Sequence, residues 1–158
     1  MKLPLLLVLL AALLGAAPAP NTPPLLVPVN TWGDAFNAGQ VAFPSDAFTD
    51  DCTVLDEFTP FAWSKGHATI REWYAAVVGA DSPKNRARFL ASKQHVTFGT
   101  PRFVTVDGDG AYLVFPAKLT YVSKGAAHTQ RGTFVVAERH TYAGWRIAAH
   151  SWAIDSDD

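Results

Sequence analysis

The chain has 158 residues, of which 49% are hydrophobic and 17% charged, and its formal net charge is −1 at neutral pH. That length makes one domain with room for a real core. With no Lys/Arg cluster to neutralise phosphates, a nucleic-acid partner is not expected, and neither is a strongly acidic or basic one.

Residues 1–19 read as a secretory signal peptide. Lys2 is a minimal positive start, Leu3 to Leu14 is an apolar run broken only by Pro4, and Gly15 to Ala19 supplies small residues for cleavage. The run is too short for an ordinary membrane span, and no Cys follows the small residues to carry a lipid. The expectation is an exported protein, periplasmic or secreted, cut within Ala16 to Ala19 and free of the membrane afterwards. Residues 20–28 form a Pro-rich linker.

Val29, Trp32, Gly33 and Phe36 then fall on one helical face, with Pro28 suited to the first turn and Gly39 to the end. Val41 to Phe48 reads as a short second helix. Cys52 to Leu55 starts a strand on which Val54, Asp56 and Phe58 share a face. Phe61 and Trp63 return in a hairpin between Pro60 and Gly66. From His67 the period is helical. Ile70, Trp73, Tyr74, Val77 and Val78 form one apolar stripe, closed by Gly79 and Asp81-Ser82-Pro83.

From Arg88 onward the pattern is that of strands. Lys93 to Val106 alternates, with a bend at Gly99-Thr100-Pro101. Asp107 to Gly110 is a hairpin turn that lacks the later ligands of a calcium loop. Ala111 to Val122 places Leu113, Phe115, Ala117, Leu119 and Tyr121 on one face. Ser123 to His128 turns the chain, Thr129 to His140 returns, Thr141 to Gly144 turns again, and Trp145 to Ile154 completes the sheet. Helices followed by an antiparallel meander make an α+β domain. The expected architecture is a cone-shaped, curled, antiparallel-rich sheet with three N-terminal helices in its concave face, over residues 29–155, and a loose tail at 156–158.

Asp56 lies between two apolar neighbours, where a carboxylate must be paired or protonated. It is a candidate general base, and equally a structural acid bonded to backbone. His95 and His150 lie mid-strand and are candidate partners for it. Period two leaves open whether His150 and Trp152 or Ala149 and Ser151 face inward. The five histidines show no ligand spacing, so no metal or cofactor is expected. Cys52 is the only cysteine, which excludes an internal disulfide. Beside Asp50 and Asp51 its thiolate is disfavoured, and it reads as a small buried hydrophobe. Trp32, Phe36, Phe58, Trp63, Tyr74 and Trp152 are candidate ligand-binding residues, although such aromatics also build cores.

The order helix, short helix, "F-x-D-D-x-x-V-x-D", aromatic hairpin, amphipathic helix and long strands ending in Gly144-Trp-Arg-Ile-Ala-Ala-His-Ser-Trp152 resembles the nuclear-transport-factor-2-like superfamily. The run Asp56 to Trp63 is similar to its SnoaL-like members. The resemblance covers nearly the whole chain after residue 20 and implies the cone fold. It also implies that Asp56 stands where ketosteroid isomerase keeps its general base. That enzyme's oxyanion-binding Tyr is replaced by Trp32, and its second, protonated acid falls near Val136, so two of three catalytic roles are unmatched.

These readings together predict an exported protein that binds a small apolar molecule in an aromatic-rich pocket. The alternatives are an isomerase, dehydratase or cyclase using Asp56 for proton abstraction, and an assembly module working through the outer sheet face. A homodimer through that face, with Tyr112, Val114 and Thr120 on it, is also expected.

Overall fold

The computed structural model describes residues 23–57, 59–64 and 67–158, with the side chains of residues 67 and 68 left aside. The expected signal peptide and Phe58 lie outside the described residues. Helix α1 (Val27–Asn37) opens the fold after a 3-10 turn at Pro24–Leu26. Strand β1 (Phe48–Leu55), strand β2 (Ala62–Trp63) and helix α2 (His67–Val77) follow. Helix α3 (Pro83–Ser92) then precedes β3 (His95–Phe98), β4 (Phe103–Asp107), β5 (Gly110–Ser123), β6 (Ala126–Thr141) and β7 (Gly144–Asp157).

The strands form one sheet in the order β2-β1-β7-β6-β5-β3, with β4 also on β5. Every pair is antiparallel except β1–β7, among the described residues. That parallel pair returns the first strand to the last and puts the β1–β2 hairpin at one edge. Leu113, Phe115 and Ala117 of β5 are buried on the inner face, as their alternation predicts. Phe134 and Val136 of β6 join them. The helices close over this concave surface, giving the α+β cone.

Three departures from the expected elements have local physical causes. Val41 to Phe48 is not a helix: only Ser45–Ala47 forms a 3-10 turn, and Phe48 already belongs to β1. Pro44 lacks the N–H a helix interior needs and pushes its predecessor toward extended backbone. The third helix comes instead from residues 83–92, whose second half, from Arg88, reads as the start of the strand region. Ser82 and Pro83, which read as the end of α2, start α3: Ser82 Oγ accepts from Asn85 N at 3.2 Å, and Pro83 takes the first helical position. Phe89 is the only buried side chain of α3, so no apolar stripe announces the helix. The turn expected at Ser123 to His128 is shorter. Lys124 (φ 51°) and Gly125 (φ 80°) both have the positive φ of a type I′ hairpin turn. His128 therefore lies in β6, stacked on Tyr121 with ring centroids 5.1 Å apart.

The C-terminal tail is also ordered rather than loose. β7 runs to Asp157, and Asp158 exchanges two backbone hydrogen bonds with Thr129, at 2.9 and 3.0 Å.

Three devices seat the helices. Gly33 gives α1 its close approach to β3, since a Cβ there would lie 2.9 Å from the Phe98 ring. One turn later Asn37 pairs with the backbone of Val96: Nδ2 donates to its carbonyl at 2.9 Å, and its N–H donates to Oδ1 at 2.7 Å. An edge strand is thereby occupied by a side-chain amide. Arg86 of α3 donates to Val78 O at 2.9 Å and to Gly39 O at 2.5 Å, tying down the ends of α2 and α1. A guanidinium at two helix C-termini also suits their dipoles.

Glu138 of β6 is the exception on the inner face. It is 3% exposed, pairs across the sheet with Ala111 and Ile147, and neither carboxylate oxygen has a hydrogen-bond partner among the described residues. Burial pushes its pKa up to about 8. The folded chain thus keeps a proton that the unfolded chain releases above the ordinary Glu range. Stability from this group is fully present at acid pH and declines as pH rises from about 4.5 toward 8, by up to roughly 1.4 kcal/mol per pH unit. Glu138→Gln keeps the shape without the ionisation. Denaturant melts from pH 5 to 9 should show stability falling in the parent chain and holding in the variant, a difference of a few kcal/mol at the alkaline end.

Candidate functional site

The helices do not fill the cone. A cavity of about 580 Å³ remains between them and the sheet, a size usual for small-molecule sites. Its walls come from α1 (Trp32, Phe36), α2 (Trp73, Val77) and the β1–β2 hairpin (Leu55, Asp56, Glu57, Trp63). Phe89 and Arg88 of α3 and Leu119, Phe134, His150 and Trp152 of the long strands complete them.

Register decides which face of β7 looks inward. His150 pairs with Val136 and Trp152 with Phe134, and both partners are buried on the inner face. Directly paired residues share a face, so His150 and Trp152 point into the cone. Gly132 of β6 leaves room for β7 here, since a Cβ there would clash with Ala153 O and come 3.0 Å from the Trp152 indole.

His150 is a buried polar residue of the cavity wall. It is 5% exposed and sits among four rings: Trp73 and Phe134 with centroids at 5.1 Å, Trp32 at 5.8 Å and Phe48 at 6.0 Å. Neither imidazole nitrogen has a hydrogen-bond partner among the described residues, and the same holds for Nε1 of Trp32 and of Trp63. Burial among apolar rings pulls the His150 pKa down to about 3, so the imidazole is neutral at physiological pH.

Asp56 is the first residue after β1. Its N–H donates to Phe61 O at 3.0 Å, closing the hairpin, and its Oδ2 accepts from Trp73 Nε1 at 2.6 Å. That bond crosses from the sheet edge to α2 and fixes both the carboxylate and the indole. Trp73 in turn presents its ring at 63° to the His150 imidazole. Asp56 and His150 therefore both contact one indole, in one cavity.

The other expected residues divide. Trp32, Phe36, Trp63 and Trp152 line the cavity. Tyr74 does not: it is 1% exposed and its hydroxyl donates to Gln40 O at 2.9 Å, so it is a core residue on the far flank of α2. His95 begins β3 opposite Thr120 and is exposed, away from the cavity. The alternation of β3 turns Val96 inward and His95 out. Cys52 is fully buried, and burial with the nearby Asp51 pushes its thiol up to about 12, as suits an inert core residue. Among the described residues no three metal-ligating side chains come together. Trp73 lines the cavity too, although sequence reasoning does not place it among the candidate site residues. It was legible as part of the α2 stripe, but nothing in the spacing of residues 56 and 73 marks them as partners.

No protein-family model and no curated protein matches the chain. Solved structures do match its fold. An NTF2-like protein with a cystatin-like fold from Novosphingobium aromaticivorans superposes with a TM-score of 0.65 at 20% identity, covering 82% of this chain and 79% of that one. An NTF2-like superfamily protein from Salmonella enterica gives 0.62 at 14% identity, over 82% and 87% of the two chains. A ketosteroid isomerase-like protein from Erwinia carotovora atroseptica gives 0.62 at 15% identity, over 84% and 94%. The cone of helices and curled sheet, with its cavity between them, is the nuclear-transport-factor-2-like fold.

Proposed function

We propose that the chain is an exported binding protein that holds a small, mostly apolar molecule inside the cone. The observation that carries this reading is the aromatic cavity of about 580 Å³ lined by a buried, neutral imidazole that has no hydrogen-bond partner among the described residues. Buried polar groups without partners cost on the order of 1–3 kcal/mol each. A bound molecule with one hydroxyl or carbonyl group satisfies His150 while its apolar body covers the indoles. Binding is favoured over proton transfer because the donor to Asp56 is an indole N–H, which does not titrate, and because His150 is held neutral far below physiological pH.

The N-terminal signal supports export, and the outer sheet face supports a homodimer. Phe103 pairs with Val114 and Thr105 with Tyr112, so these four share the convex face. Phe103 and Tyr112 are 54% and 41% exposed, with ring centroids 6.1 Å apart. A patch of this kind is a natural self-association surface. Light scattering at high micromolar concentration should report a dimer, and Tyr112→Arg should return a monomer of unchanged melting temperature. A parent chain that is monomeric at that concentration rejects the dimer.

Ligand binding has a direct optical test, because four of the five tryptophans line the cavity. Naphthol should change the intrinsic fluorescence saturably and naphthalene more weakly, and His150→Phe should abolish the preference for naphthol while sparing naphthalene. Native mass spectrometry of protein from its source should show the resident molecule and a mature N-terminus within residues 16–20. The same variant carries a stability signature. The depressed His150 pKa means that stability from this group is full above about pH 6.5 and lost as pH falls toward 3. His150→Phe should flatten that acid-side decline in thermal melts, and an unchanged acid limb would mean that His150 is solvated.

A further inference from the structure

We infer that the rim of the cavity is a subsite for an organic cation, so that the bound molecule is an apolar body bearing a protonated amine. This rests on the small-molecule reading above and narrows its chemistry.

The charge at the rim is one-sided. Asp56 and Glu57 follow each other at the end of β1 and both line the cavity. Asp157, at the end of β7, accepts from Tyr121 Oη at 3.2 Å and from Gln130 Nε2 at 3.3 Å, and both of these donors are lining residues. Two carboxylates of the lining and Asp157, which is bonded to two lining residues, thus stand at the ends of β1 and β7. They act on one another: the Glu57 carboxyl is held above its ordinary range first by burial and then by Asp56 and Asp157. Asp81, bonded to Asn85 at 2.8 Å, adds a fourth carboxylate on the side of α3. Arg88 is the cation lining the cavity among the described residues, and it is exposed on α3.

An acidic rim alone describes many surfaces. Here it opens onto a cavity that is also lined by His150, 5% exposed with neither nitrogen hydrogen-bonded among the described residues, a feature that independently calls for a polar partner. The walls include Trp73 and Trp63. Indole faces attract an ammonium group through their quadrupoles, most strongly where water is scarce. The Trp73 bond occupies Asp56 Oδ2 and leaves Oδ1 with no hydrogen bond among the described residues. A carboxylate oxygen beside the Trp73 indole is a fitting acceptor for an N–H of an amine. A bare metal ion fits less well, because the described residues offer no cluster of three ligands and the walls are apolar.

Isothermal titration of the full mature chain with naphthylmethylamine, naphthylmethanol and naphthoate separates the possibilities, since the three share a body and differ in charge. The amine should bind about tenfold more tightly than the alcohol, with naphthoate weakest, and the advantage should shrink as salt is raised. Asp56→Asn and Glu57→Gln should each reduce the amine's advantage over the alcohol by roughly three- to tenfold. Glu57 makes no side-chain hydrogen bond among the described residues, so its variant tests the charge even if loss of the Trp73 bond unfolds the other. An alcohol that binds as tightly as the amine, or a naphthoate that binds best through Arg88, overturns the cation subsite while leaving the pocket reading in place. Binding of none of the three overturns both.

Discussion

Five elements meet at the imidazole of His150. β7 carries it, α1 supplies Trp32, α2 supplies Trp73, β1 supplies Phe48 and β6 supplies Phe134, each ring centroid within 6.0 Å of it. This cluster is where helices and sheet become one body, because each contact crosses from one element to another. Its aromatic shell packs the helices on the sheet. The same shell strips water from the imidazole and leaves it neutral and without a hydrogen-bond partner among the described residues. Packing and site are therefore two consequences of one arrangement.

Two buried titratable groups pull the stability of the fold in opposite directions. His150 weakens it toward acid and Glu138 toward alkali, since one loses its charge on burial and the other its ionisation. Between about pH 4.5 and 6.5 their effects offset, because unfolding then releases a proton from one and takes one up at the other. Both lie on the concave face, but only His150 lines the cavity. A polar group retained in each place at a cost in stability fits the general pattern of functional positions, and for His150 the cavity supplies the reason. Glu138 has apolar cross-strand neighbours and no such explanation.

The hairpin of β1 and β2 converts a strand end into part of the pocket. Val54 pairs with Trp63, and Asp56 N–H closes onto Phe61 O, so the chain reverses immediately after the strand. That reversal places Asp56, Glu57 and Trp63 at the opening instead of in the sheet. The Trp73–Asp56 bond then locks the hairpin to α2. One short connection thus provides both charge and aromatic surface at the rim, while the long strands provide the depth. Loops positioned by a rigid scaffold commonly carry function in this way.

Several features were legible in the sequence because they are local. The stripes of α1 and α2, their glycine ends at Gly39 and Gly79, the bend at Gly99 to Pro101 and the alternation of β5 all follow from periodicity and turn chemistry within a few residues. The tertiary structure decided what periodicity cannot carry. A period of two says that His150 and Trp152 share a face but not which face; pairing with Val136 and Phe134 of a neighbouring strand turned them inward. A polar helix such as α3, with Phe89 alone buried, has no stripe to read, and its Ser82-Pro83 start is indistinguishable locally from the stop of α2. The partnership of Asp56 with Trp73 joins a strand end to a helix face, and the exclusion of His95 and Tyr74 from the cavity depends on which side each element packs. Local sequence sets the shape of each element, whereas the site is made of distances between elements, which exist only once the sheet has closed around them.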